Sequence, residues 1–328
     1  AAADWLDRVD ADRVNFRRAV EWAAGAPERV ERGLRLASAL VRYLEIRGNF
    51  EEGREWFDTL LAAPAPAEVG GSVARAEAVA GAGRLAWGAE DLPAAAALYR
   101  EAIERLRGLG LERQAVRTEA MLAFVECETG GRETAAARFE RTLRAGHELR
   151  DPTLTAVGLS GLGRCALLRS EVALSRRLRE ESLAIYRATG DEWISGYLLW
   201  GIARACLADH DAAAARAALE EWLGIIRKLG SRWALPYLLS RFAEVRVREG
   251  DPAQAARLLA SVEAGRTQLG MRFGEEDQAE FDATRDRVRA SLTPEAWERE
   301  SAAGRTLDLW EAADRAAQSG LATPPSPV

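Results

Sequence analysis

Lysine is all but missing from this 328-residue chain: of 45 basic residues only Lys228 is not an arginine. Chemistry that depends on a lysine amine is thereby largely excluded. Histidine is nearly as scarce, at His147 and His210 alone. Asp209 and Asp211 flank His210, but a metal centre needs further ligands that the sequence does not place, and a helix cap at Asp211 accounts for the acids. No metal site is expected. The three cysteines, Cys127, Cys165 and Cys206, are odd in number, lack paired spacing and sit in helical apolar patterns. Buried, reduced thiols in a cytoplasmic protein are the expectation. No apolar run approaches the roughly 20 residues of a membrane span, so no membrane contact is expected. The opening "AAADWLDRVD" is neither a signal peptide nor a methionine start, which suits a segment of a longer protein. With 51 acidic residues and a formal net charge of −6, the chain also lacks the basic excess that drives phosphate-backbone binding, so no direct contact with nucleic acid is expected.

Catalytic signatures are missing too. Gly161-Leu162-Gly163-Arg164-Cys165-Ala166 matches a dinucleotide fingerprint, but that motif needs a preceding strand and turn, and here it falls inside a helical pattern. No phosphate-cradling loop ending in lysine occurs, and "GLSGL" around Ser160 lacks the final glycine of a nucleophile elbow. No carboxylate pair stands out from solvated helix faces. The segment is expected to be no enzyme, with no catalytic residue and no cofactor.

What the chain does have is repetition. Gly190, Gly230 and Gly270 stand 40 residues apart, each followed three residues later by a large aromatic, Trp193, Trp233 and Phe273. Small residues recur at the same step in two columns: Gly83, Ala123, Gly163, Ala203, Ala243, and Ala95, Ala135, Ser175, Ala215, Ala255. A third column reads Asp91, Gly131, Glu171, Asp211, Asp251. Five copies over residues 72–270 follow. Within 151–190, Leu154, Val157, Leu159, Leu162, Cys165 and Leu168 keep helical spacing, and Leu174, Leu178, Leu183 and Ile185 do so after a break. Each copy is therefore two helices. Asp151-Pro152 and Asp251-Pro252 supply an N-cap and a first-turn proline, the repeated glycines close the second helix, and the aromatics are expected in the first turn of the next. No copy buries enough apolar surface to stand alone, so neighbours must share a core.

The order of small residue, acid, alanine, aromatic (Tyr99 or Phe139) and small residue (Ala102) resembles the tetratricopeptide (TPR) repeat. The departures are the 40-residue period, against the usual 34, and the aromatic position in later copies, held by Arg179, Leu219 and Leu259. HEAT-like repeats compete with this assignment, but evenly paired helices and small columns favour the TPR type. The expected fold is all-α, an α-solenoid of TPR-like hairpins wound as a right-handed superhelix. Its expected parts are a junction helix (1–27), a first hairpin (28–62), a flexible loop (63–71), five repeats (72–270), capping helices (271–316) and a disordered tail or linker (317–328).

Trp5-Leu6, Asn15-Phe16-Arg17, Ala19, Trp22, Gly48, Gly53, Arg54 and Trp56 resemble the junction behind the nucleotide-binding module of bacterial signal-transducing ATPase (STAND) transcriptional regulators. That group includes the maltose-activator and antibiotic-regulatory types. Residues 292–316, with Thr293-Pro294 and Thr306 as helix starts, resemble the terminal cap of such arrays. The resemblance implies adjoining nucleotide-binding and DNA-binding domains, and an arm that senses a ligand or protein and governs oligomerisation.

Arg84, Arg164 and Arg204 share one repeat column; Trp200 lies four residues before Arg204, and Tyr197 and Tyr237 three earlier again in their copies. In TPR stacks this edge lines the concave groove, so an arginine ladder beside aromatics could bind an acidic peptide or an anionic small molecule. Inter-repeat ion pairs, of Glu128 with Arg164 and Glu244 with Arg204, are the other explanation. The leading expectation is a non-catalytic sensing or oligomerisation arm of a transcriptional regulator, taking a protein partner or small-molecule effector on its concave face, with self-association as one response. The alternative is a stand-alone interaction scaffold for an acidic peptide segment.

Overall fold

A computed structural model describes residues 2–318; the tail expected at 317–328 lies, from residue 319, outside the described residues. Among the described residues every regular element is a helix. Helix α1 (Ala2–Ala24) precedes the hairpin of α2 (Val30–Arg47) and α3 (Phe50–Ala62), and a short α4 (Ala67–Gly70) buries Val69. Five hairpins follow: α5 (Val73–Gly88) with α6 (Leu92–Gly108), α7 (Glu112–Glu128) with α8 (Arg132–Glu148), α9 (Pro152–Leu168) with α10 (Val172–Thr189), α11 (Glu192–Ala208) with α12 (Ala212–Leu229), and α13 (Leu235–Arg248) with α14 (Pro252–Leu269). Three further helices, α15 (Glu275–Ala290), α16 (Pro294–Arg305) and α17 (Leu309–Ala317), end the array.

Local chemistry sets these boundaries. The carboxylates of Asp91, Asp151, Asp191, Asp211 and Asp251 each accept a backbone N–H from the helix they precede. Such a cap contributes about 1 kcal/mol. Gly190, Gly230 and Gly270 end α10, α12 and α14 at φ of 75°, 62° and 62°, where a Cβ would be strained. Trp193 lies in the first turn of α11, but Trp233 and Phe273 precede the next helix. Pro236 fixes that start, since its missing N–H is tolerated only in the first turn, and α13 begins at Leu235. Phe273 is followed by extended Gly274, the N-cap of α15. Thr293 caps α16 through its side chain, whereas Thr306 ends that helix and Asp308 caps α17.

The small columns sit where helices meet. Ala95, Ala135, Ser175, Ala215 and Ala255 are fully buried. Ser175 also donates its hydroxyl to the Gly163 carbonyl at 2.7 Å, joining the two columns across one hairpin. In a solenoid each repeat ordinarily touches only its neighbours. Here the array comes round to its own beginning: α2 and α3 meet the end of α12 and the segment leading into α13, some 180 residues later. Ser231 Oγ donates to the Ile46 carbonyl at 2.7 Å, Arg47 Nη1 donates to the Leu229 carbonyl at 2.7 Å, and the rings of Phe50 and Trp233 lie 5.0 Å apart.

Gly48 is the tightest point of this seam, with φ 71° and Trp233 ring atoms 2.6 Å from where a Cβ would stand. Gly48→Ala is expected to destabilise the fold by roughly 1–3 kcal/mol through left-handed strain and the clash. A urea midpoint equal to that of the parent protein would show that the seam is not packed.

Candidate binding cavity

The inner helices of the repeats, together with α2 and the segment leading into α15, surround a cavity of about 1460 Å³. Arg84, Arg164, Tyr197, Trp200 and Tyr237 all border it, on α5, α9, α11 and α13. Arg204 does not; it is only 6% exposed and lies behind the wall, with its guanidinium 5.0 Å from the Trp200 ring. The repeat period thus brings five of the six residues to one space.

The aromatics form a continuous run. Trp193–Tyr197, Tyr197–Trp200 and Trp200–Tyr237 meet edge to face at 5.6, 6.5 and 6.3 Å, and Tyr237–Phe273 meet at 4.8 Å. Such contacts hold large side chains in place without filling the space beside them. Tyr197, 53% exposed, projects into the cavity. On another part of the wall Trp87 stacks on Phe124 at 5.9 Å.

The arginine ladder has its acids supplied from three places. Arg84 donates Nε and Nη2, one edge of its guanidinium, to the two carboxylate oxygens of Glu45 on α2. Arg164 lies 3.4 Å from Glu128 and 3.1 Å from Glu276. Arg204 pairs with Glu276 at 2.5 Å and Glu280 at 2.6 Å. The pairing of Arg164 with Glu128 agrees with the inter-repeat alternative. Glu244 does not reach Arg204; it faces Arg241, Arg248 and Arg287, because Arg248 lies one turn away on its own helix and α15 already supplies acids to Arg204. Burial pushes the Glu276 carboxyl up, but Arg204 and Arg164 outweigh it and hold the group below the usual range.

Other carboxylates are pressed the opposite way. Burial raises Glu128 and Asp277 despite nearby arginines. Glu90, at φ 62° in the turn between α5 and α6, is pushed up to about 7 by burial and by Glu128 and Asp277, with Arg164 opposing.

Sequence reasoning passed over several cavity arginines, among them Arg117 on α7 and Arg179 on α10. Arg117 stands in the column of Tyr197 and Tyr237, and Arg179 was visible as the odd member of the aromatic column. Cys127, Cys165 and Cys206 are buried free thiols, as the sequence implied, but the 38-residue spacing of Cys127 and Cys165 hides that their sulfurs lie 3.8 Å apart. His210 occupies the α11–α12 turn at φ 60° and faces Arg248 at 2.9 Å. Among the described residues no group of three or more metal-binding side chains converges, and no helix is long and apolar enough to cross a membrane.

No family model matches the chain, and no curated protein matches it in sequence. Among solved structures it is similar to a Rap protein complexed with competence and sporulation factor, with a TM-score of 0.58 and 12% identity over 88% of this chain and 81% of that one. It is also similar to BtubC (BKLC) from P. vanneervenii, with a TM-score of 0.46 and 17% identity over 69% of this chain and 92% of that one. A kinesin light chain protein of nearly identical TPR-like repeats from Podosopora anserina gives a TM-score of 0.41 and 17% identity, over 60% and 95%. Identities this low speak to the fold alone. The chain is a TPR-like α-solenoid.

Because the folded state raises the Glu90 pKa, it favours the protonated carboxyl. The charged form weighs against folding as pH climbs from about 4.5 in the unfolded chain through about 7. Glu90→Gln is expected to leave the melting temperature near the parent value at pH 5 and raise it at pH 8. Equal melting temperatures at both pH values would contradict the buried-carboxylate cluster.

Proposed function

We propose that this chain is a non-catalytic recognition module that takes a peptide segment of a partner, or an effector of similar size, into its central cavity. The observation that carries the reading is the cavity itself: about 1460 Å³, walled by a continuous aromatic run and by arginines on successive repeats. Small-molecule pockets usually span roughly 300–1,000 Å³, so the space suits a larger, extended ligand. The similarity to a Rap protein complexed with competence and sporulation factor lends support from a fold of the same kind.

Helix α15 offers a route from occupancy to response. Glu276 bridges Arg164, on the cavity wall, to Arg204 behind it, and Asp277 lies 3.2 Å from Arg241. An anionic group arriving at Arg164 would compete with Glu276 and favour a different seating of α15. Coupling of this sort requires unequal affinity for the two seatings. We further propose that the module serves as the sensing arm of a bacterial signal-transducing ATPase regulator, a context supported by the N-terminal residues that resemble that junction. A phosphate-binding loop encoded ahead of residue 1 and a helix-turn-helix beyond either end are expected; a gene with neither sinks that context.

Native mass spectrometry of the protein isolated gently from its host tests the recognition reading. A retained mass, lost on Trp200→Ala with the fold intact by circular dichroism, is expected. A bare chain whose melting temperature is unmoved by the host's low-molecular-weight extract would overturn it.

A further inference from the structure

Several arginines around the cavity are paired with acids; of those that are not, Arg132 and Arg272 lie exposed at a helix start and in the segment before α15, while Arg117 and Arg179 stand within helices. Arg179 is 4% exposed, yet among the described residues no carboxylate comes within 4 Å of it; its one hydrogen bond is from Nε to Ser175 Oγ at 3.3 Å. Its column is otherwise Tyr99, Phe139, Leu219 and Leu259, all fully or nearly fully buried core. Glycines make room for the exchange. A Cβ on Gly201 would stand 1.6 Å from Arg179 Nη1, and one on Gly163 would stand 2.9 Å from its Cγ. The side chain therefore leaves the outer helix α10, passes between α9 and α11, and reaches the cavity. Burial first, then Arg164 and Arg204, push its guanidinium down to about 9, so it stays charged at neutral pH.

Arg117 is the second. It is exposed to the cavity and likewise has no hydrogen-bonding or ionic partner among the described residues. Buried or enclosed cations are ordinarily paired, because desolvating a charge without a partner is costly.

We propose that Arg117 and Arg179 form the anion-recognising part of the cavity, and that the ligand is an extended peptide carrying one carboxylate for each. The inference rests on the cavity as a recognition site and adds the ligand's charge and spacing. Arg117 on α7 stands at the register of Val157, whereas the Arg179 guanidinium lies against Gly201 on α11, at the register of Gly161 and two repeats on. Four helical residues rise about 6 Å, and two repeats shift the position by about 16–20 Å, so the anionic groups sit about 19 Å apart. An extended chain advances about 3.3–3.6 Å per residue, which places the two acids five or six residues apart.

Two pools of acetylated, amidated hexapeptides test this. One carries glutamate at its first and sixth positions with apolar residues elsewhere; the other carries glutamine at those two positions. Binding is read by calorimetry on the whole chain and on Arg179→Leu and Arg117→Gln. Leucine already fills the same column at positions 219 and 259, so Arg179→Leu should fold with an equal or higher melting temperature. The acidic pool is expected to bind the parent protein, with each variant and the glutamine pool weaker by about tenfold or more. Acidic-pool binding undiminished in both variants overturns the proposal. Glutamine-pool binding equal to that of the acidic pool also overturns it while leaving the cavity reading intact. Failure of both pools to bind the parent protein overturns both.

Discussion

The cavity exists because the superhelix comes round to meet its own first hairpin. Were α2 and α3 not seated on the end of α12 and the segment leading into α13, the arginines and aromatics of the inner helices would line an open groove, where water screens charge. Closure changes the electrostatics more than the shape. Opposite charges 4 Å apart interact by about 1 kcal/mol in bulk water and about 4 kcal/mol at an effective dielectric of 20. The seam is built from short, buried contacts, of Ser231 with the Ile46 backbone and of Trp233 over Gly48, which tolerate little displacement. Its geometry therefore decides how strongly every charge inside is felt.

Within that enclosure the arginine ladder requires acids, and α15 brings them. Arg204 is nearly fully buried, and a buried cation without a partner would destabilise the fold by several kcal/mol. Glu276 serves Arg164 and Arg204 together, so one carboxylate compensates two desolvated cations and is itself held ionised by them. The arrangement fixes the first turn of a C-terminal helix against the middle of the array. The structural pairing and the binding reading are then compatible: the same ion pairs that stabilise the wall are the contacts an anionic ligand would disturb.

Much of this was legible in the sequence, because it follows from short-range rules repeated at a fixed period. The aspartate caps, the glycine stops and the two small columns each report on a neighbouring turn or helix. The 40-residue step then carries Arg84, Arg164, Tyr197, Trp200 and Tyr237 to one side of the array. What was not legible depends on contacts without a period. Glu276 meets Arg164 across 112 residues, and Ser231 meets Ile46 across 185. No local pattern encodes either, so Arg204 was assigned Glu244 from its own column, when the partner came from outside the repeats. Trp233 shows the converse, in which the period held in sequence and one proline moved the helix start past it.

Arg179 shows where departure from a repeat carries information. Read as a pattern, an arginine in an aromatic column weakens the match. Read physically, it is an expensive substitution. A leucine there would contribute roughly 1.5–3 kcal/mol of apolar burial, and the buried guanidinium instead incurs a desolvation cost of several kcal/mol. The glycines that admit it, Gly163 and Gly201, each weaken a helix by about 1 kcal/mol relative to alanine. These costs fall together, in the repeats that bear Arg164, Tyr197 and Trp200. A chain selected for stability alone would keep the leucine that copies four and five retain. Stability forgone at one packed position, with room made for a charge that faces the cavity, is what supports the proposed recognition of an anion between α9 and α11.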